Sequence, residues 1–420
     1  MPIAGVLAAV PASLSAQDGR VDLANSGDTA WTMAATCAVL LLVTGIAVHQ
    51  SGRVGARNGV SILVQAAVVS AGVTLLWSLV GYTLAFGDVT GGWVGGGNAW
   101  MLIDLGNLRH GTAMPESAFA LFHIAVATLS PVLMIGAWAE RARFGWIVVF
   151  SALWTLIVQA PITHGVWGGG WLSQHFAVQD WAGGLVIFTS AGVSALTVVI
   201  LLGRRLGWPD GLSGPSSPAL ALCGSAAAWA GALGLSGGRA FAANDDAAAA
   251  MISAHLGIAA ALITWAGMER VATGRIKATG LSLGILAGIA AIAPAAGYVS
   301  PGAAVLFGVL GAAVGYQTRQ LMRSRIRIDD ALDVFAVPGV CGAFGTLLLG
   351  LFLSADLGGV GYVAGNTLIE QAIAQASALA IVVCWSGLGT AIVALMVSLF
   401  IPMRVSEDAE RAGLDVSSDL

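Results

Sequence analysis

The chain has 420 residues, of which 57% are hydrophobic and only 10% charged, and its mean hydropathy is +0.85. A soluble domain averages about 25% charged residues, so this composition excludes an ordinary soluble enzyme and indicates a membrane protein. A net charge of −4 and six scattered histidines give no sign of a nucleic-acid partner.

In chain order, Ile3 to Val10 is apolar and is followed by Pro11 and a small-residue segment. Residues 1–26 therefore resemble a short signal peptide and an external N-terminus, although the usual positive start is missing. Apolar runs of membrane-crossing length then recur. They predict eleven helices: Thr29–Val48, Gly59–Phe86, Ser117–Ala139, Phe144–Ile162, Trp181–Leu202, Ala219–Leu235, Ala247–Met268, Gly280–Val299, Ala303–Leu321, Ala331–Leu353 and Ala372–Ile401. The membrane domain is thus expected over 27–402, with a cytoplasmic tail over 403–420. Cys37, Cys223, Cys341 and Cys384 sit singly without metal-ligand spacing and are expected to be buried small hydrophobes.

Orientation follows from the basic residues. Alternate connections and the tail hold fifteen of the 18 Lys and Arg; Arg20, Arg109 and Arg239 stand on the other side. This split places the N-terminus outside and the C-terminus in the cytoplasm. It also supports the count of eleven, because one missed helix would scramble the alternation.

The run from Ala160 to Leu196 carries the most unusual chemistry. Asp180, the only acid between Glu140 and Asp210, opens the fifth span, and Asp330, beside Asp329 and Asp333, opens the tenth. A carboxylate at a helix start accepts bonds from unpaired backbone N–H groups, and structural capping is the plain expectation for both. The five-span offset suggests an inverted repeat, with a substrate path between the halves. Trp167 precedes three glycines in an expected outer loop. There it serves either as an interfacial anchor or as a cation–π surface in a vestibule. His123 and His164 are intramembrane candidates, with a satisfied structural role expected for each. Gly284/Gly288 and Gly311/Gly315 read as helix-packing faces. No HExxH, P-loop, paired-carboxylate or Ser-His-Asp pattern is present, so no enzyme, metal or cofactor is expected.

The strings GDTAWTM (27–33), LVGYTLAFGD (79–88), APITHGVWGGGWL (160–172), DWAGGLVI (180–187), DDALDVFAVPGVCG (329–342) and RVSEDAERAGLDV (404–416) occur in order. Together they resemble the Amt/Mep/Rh ammonium transporter family. The resemblance implies an all-α polytopic membrane protein, an inverted five-plus-five helix repeat plus a final long helix. It also implies a homotrimer with one pore per protomer, in a bacterial-type cytoplasmic membrane. Its substrate would be ammonium or ammonia; a sensor built on this scaffold would need a partner, for which a PII-type regulatory protein docking near Arg319–Asp330 and the tail is the candidate. Trp167 and Phe122 match the outer vestibule, and Asp180 matches a buried acid of the family. The chemical positions depart: the two gate phenylalanines fall on Val126 and Leu235, and a small hydroxyl falls on Arg239. The two pore histidines fall on Phe188 and Pro338, each eight residues after its acid.

These departures leave the mid-membrane path without an evident proton carrier. Arg239 would repel ammonium unless Asp245 or Asp246 neutralises it. Three readings remain at this point: a channel working without the histidine pair, a non-conducting sensor of ammonium or another small ligand, and a partner subunit that transports nothing.

Overall fold

The computed structural model describes residues 23–97, 100–363 and 365–416. The signal-like segment falls almost wholly outside them. Among the described residues nine helices are long and apolar enough to cross a membrane. They are α1 (Ser26–Arg53), α2 (Gly59–Phe86), α3 (Glu116–Trp138), α4 (Phe144–Phe176), α5 (Gly184–Leu202), α6 (Pro218–Gly238), α7 (Asp245–Thr273), α10 (Phe335–Phe352) and α11 (Leu368–Ser398). The shorter apolar α8 (Ala278–Ile292) and the 21-residue α9 (Pro301–Leu321) fill the expected eighth and ninth places. The chain is thus an all-α polytopic membrane protein. Leu388, Ile392 and Leu395 on α11, and Ile263 on α7, are exposed. An apolar exterior of this kind suits lipid.

Local signals start the helices. Asn25 caps α1, Asn244 caps α7, and the Ser217-Pro218 and Ser300-Pro301 pairs open α6 and α9 with a capping hydroxyl and a preset φ. Thr367 and Glu370 form a capping box at α11. The third span is not the straight helix expected. It breaks at Thr128, between Glu116–Ala127 and Leu129–Trp138, because Pro131 cannot donate to Ala127 and its ring crowds that carbonyl. The tenth span starts at Phe335 rather than Ala331, after a non-helical approach in which Asp333 has φ 62°.

Close packing depends on glycine. A Cβ on Gly45 of α1 would lie 2.4 Å from the Ala228 backbone nitrogen of α6, and one on Gly224 would lie 2.3 Å from that of His49. The Gly284/Gly288 and Gly311/Gly315 faces also meet neighbours, including Trp265, Ile258, Ala291 and Cys341. The cysteine expectation needs correction. Cys341 is buried, whereas Cys37, Cys223 and Cys384 are exposed on the bundle's outer surface, where an apolar helix face does not turn inward.

The arginine-rich connections at one end of the bundle are tied by ions. Asp333 takes Arg53 at 2.6 Å, Arg319 at 3.0 Å and Arg323 at 3.1 Å. Despite burial, these cations hold its carboxyl well below the usual carboxylate range. Asp329 receives Arg205 at 2.8 Å and Arg141 at 3.5 Å, and Arg205 also reaches Glu140 at 2.7 Å. The tail folds back onto this layer through its short helix α12 (Glu407–Ala412). Glu410 accepts from Arg404 and from the Leu206 N–H, and Asp415 accepts from Val60 and Ser61 N–H groups at the start of α2.

Candidate functional site: a crossed helix pair beneath an aromatic vestibule

Helices α5 and α10 meet at their opening turns. The Asp180 carboxylate receives the N–H groups of Gly183, Gly184, Leu185 and Val186, two per oxygen, at 2.7–3.1 Å. Asp330 does the same for Val334, Phe335 and Ala336 at 2.9–3.0 Å. These carboxylates satisfy N–H groups that a helix start leaves unpaired. Burial pushes the Asp180 carboxyl upward against the pull of its four N–H donors. Burial and neighbouring Asp333 push Asp330 up to about 6.

Each helix then begins with a wide π turn, Gly184–Thr189 and Phe335–Gly339. Pro338 is tolerated because the first turn does not need its missing N–H. Beyond the turns the backbones cross without space for a side chain. A Cβ on Gly192 would lie 2.3 Å from Gly339 Cα, and one on Gly342 would lie 3.4 Å from the Thr189 nitrogen and 2.7 Å from Phe188 Cβ. Gly192 and Gly342 each stand twelve residues after their acid, and Thr189 and Gly339 each nine. The contacts are therefore reciprocal, as an inverted repeat requires. Phe188 and Pro338 are both buried at this crossing, one residue before Thr189 and Gly339.

Above the crossing lies an aromatic cage. The Arg239 guanidinium stands 4.2 Å over the Trp167 ring and 5.1 Å from that of Phe241. Its Nε donates to the Trp181 carbonyl at 2.7 Å, and Nη1 lies 3.0 Å from His123 Nε2. Trp167 Nε1 donates to the Asp180 carbonyl at 2.7 Å, so consecutive carbonyls hold the cation and the ring it covers. Phe122 packs edge-on to Phe241, with ring centroids 5.6 Å apart, and borders His123. Phe86 and Phe119 flank the imidazole at 4.3 and 4.2 Å. Val126 and Leu235 lie buried one helical turn from Phe122 and Arg239 respectively.

The structure therefore gathers Phe122, Trp167 and Arg239, ties Asp180 to them through Trp167, and groups Phe188 with Pro338. Two expectations are corrected. Trp167 is the last residue of the helical segment Ala160–Trp167 rather than part of a loop, and only Gly168–Gly170 form the turn. Asp245 and Asp246 do not neutralise Arg239. They open α7, with Asp246 bonded to Asn244, and among the described residues Arg239 forms no ion pair. A carbonyl, an imidazole and an aromatic face satisfy it instead. His164 bonds the Ala85 carbonyl and sits packed against Gly168 and Gly170. Sequence reasoning missed the contributions of Trp181 and Phe241 and the acceptor role of His123. The i, i+3, i+4 spacing of Phe119, Phe122 and His123, which puts all three on one helical face, is the sequence signal that could have grouped them.

The profile described as Ammonium Transporter Family matches residues 30–418. The chain belongs to the ammonium transporter family. A putative ammonium transporter of Methanothermobacter thermautotrophicus is 35% identical over 400 residues, covering 94% of this chain and 97% of that protein. The ammonium transporter Amt1 of Archaeoglobus fulgidus is 34% identical over 396 residues, covering 94% and 98%. Among solved structures, a sensor Amt protein is similar with a TM-score of 0.87 at 25% identity, covering 95% of this chain and 98% of that one. Saccharomyces cerevisiae Mep2 is similar with a TM-score of 0.84 at 29% identity, covering 92% and 89%.

Proposed function

We propose that this family member passes neutral ammonia across the cytoplasmic membrane without carrying ammonium current. The observation that supports it is Arg239, a permanent cation lying over Trp167 where an incoming cation would find its aromatic surface. In this reading Trp167, Phe122 and Arg239 form the outer vestibule. Val126, Leu235, Phe188 and Pro338 line the path below, and Asp180 and Asp330 are its structural acids. That path offers no imidazole at Phe188 or Pro338, and burying an unpaired cation there costs several kcal/mol, so the neutral species is favoured. The protein acts as a channel rather than an enzyme and takes no cofactor. It assembles as a homotrimer in a bacterial-type inner membrane, with 27–402 as the membrane domain and 403–420 as the tail. A PII-type protein would meet the exposed parts of the cytoplasmic face, since Arg319 and Arg323 already turn inward onto Asp333.

Proteoliposomes test this reading. An ammonia pulse is expected to alkalinise the lumen faster than in empty vesicles, with no ammonium-dependent current. A current in the wild type, or permeability no higher than in empty vesicles, would refute it. A second reading, a non-conducting ammonium sensor, draws on the likeness to the sensor Amt structure and is favoured by the latter result.

A further inference from the structure

His123 occupies a position that fixes its protonation state by hydrogen-bond geometry. Its Nε2 lies 3.0 Å from Arg239 Nη1, and its Nδ1 lies 3.0 Å from the Phe119 carbonyl oxygen. A guanidinium only donates, so Nε2 must accept; a carbonyl only accepts, so Nδ1 must carry the proton. Both contacts demand the same species, the neutral Nδ1–H imidazole. A second proton would sit on Nε2, the one atom that accepts from Arg239, and would face it with a like charge.

Among the described residues the imidazole's hydrogen-bond partners are the Phe119 carbonyl and Arg239, and neither is a carboxylate. From α2 and α3, Phe86, Phe119 and Phe122 pack on the ring, and Trp167 and Phe241 close it from α4 and the segment after α6. The other cation close by is Arg109, 4.3 Å over the Phe119 ring. It is paired with Glu116 at 3.1 Å, and Tyr82 also donates to Glu116. Asp180 spends its carboxylate on four backbone N–H groups and reaches the cage only through backbone carbonyls.

We propose that His123 is the positioning residue that seats Arg239 on Trp167, and that protonation of His123 from the outside unseats the guanidinium and frees the Trp167 face for a small monovalent organic or inorganic ammonium cation. The vestibule is then self-occupied at neutral and alkaline pH and receptive in acid. This rests on the reading of the Trp167 face as a cation surface, and deepens it by naming what controls access.

The test measures equilibrium binding of methylammonium to the purified full chain at about pH 8 and about pH 4, the lower value set below the ordinary histidine range because the Arg239 guanidinium opposes the second proton. Three proteins are compared: wild type, His123→Gln and Arg239→Ser. Glutamine keeps an acceptor for Arg239 but does not titrate. Wild type is expected to bind about tenfold more tightly in acid, because apparent affinity scales with the fraction of receptive protein. His123→Gln is expected to bind weakly at both pH values, and Arg239→Ser to bind at both. A flat wild-type profile beside a binding-competent Arg239→Ser overturns the His123 mechanism alone, as does a wild-type profile retained in His123→Gln. Failure of Arg239→Ser to bind at either pH overturns the cation surface itself, and this proposal with it. Should His123→Gln not fold, the contrast between wild type and Arg239→Ser still decides the matter.

Discussion

Asp180→Asn is a near-isosteric change whose cost follows from counting acceptors. The carboxylate uses both oxygens, two N–H groups on each, to hold Gly183 to Val186. An amide has one acceptor oxygen, so two of the four donors lose their partner and face an NH2 group instead. Each buried orphan costs about 1–3 kcal/mol, which puts the loss at about 2–6 kcal/mol. Asp330→Asn should cost less, because that carboxylate holds three donors. The assay is thermal unfolding of the purified protein in detergent, with both variants measured beside the wild type. The expected order is wild type, then Asp330→Asn, then Asp180→Asn. An Asp180→Asn protein within about 0.5 kcal/mol of wild type, the range of an inert surface change, would show that these bonds do not hold the helix start.

Two further outcomes are expected. The acid limb of stability should have two parts of opposite sign. Asp333, held low by three arginines, contributes stability that is present above its unfolded pKa near 4 and is lost as pH falls below it. Asp330, pushed up to about 6, binds its proton more tightly in the fold, so its contribution is present below about pH 4 and lost as pH rises through 6. Melting temperature against pH should therefore fall steeply below about pH 4, and Asp333→Asn should flatten that fall while lowering stability at neutral pH. Separately, Gly192→Ala should prevent correct assembly of the crossing, because its Cβ meets Gly339 Cα at 2.3 Å and backbone cannot yield cheaply. Gly72→Ala, with open space around it, should instead be neutral or stabilising by up to about 1 kcal/mol; equal effects in an unfolding assay would refute the distinction.

The sequence alone determined the membrane class, the helix count and the two capping acids, because these depend on local composition and on where a chain leaves N–H groups unpaired. The equal spacing of Phe188 and Pro338 from their acids was legible for the same reason, since offset along a helix is a one-dimensional quantity. The partners of Arg239 were not. Charge counting nominated Asp245 and Asp246 because opposite charges close in sequence are the simplest pairing. The tertiary structure decided otherwise by bringing a carbonyl from before α5, an imidazole from α3 and an indole from α4 to one guanidinium. The break at Thr128 and the extension of helix through Trp167 likewise came from backbone geometry that hydropathy does not sense. Hydrogen-bond direction at His123 depends on atoms far apart in the chain, 116 residues in the case of Arg239, so only the folded protein could fix which species of histidine it holds.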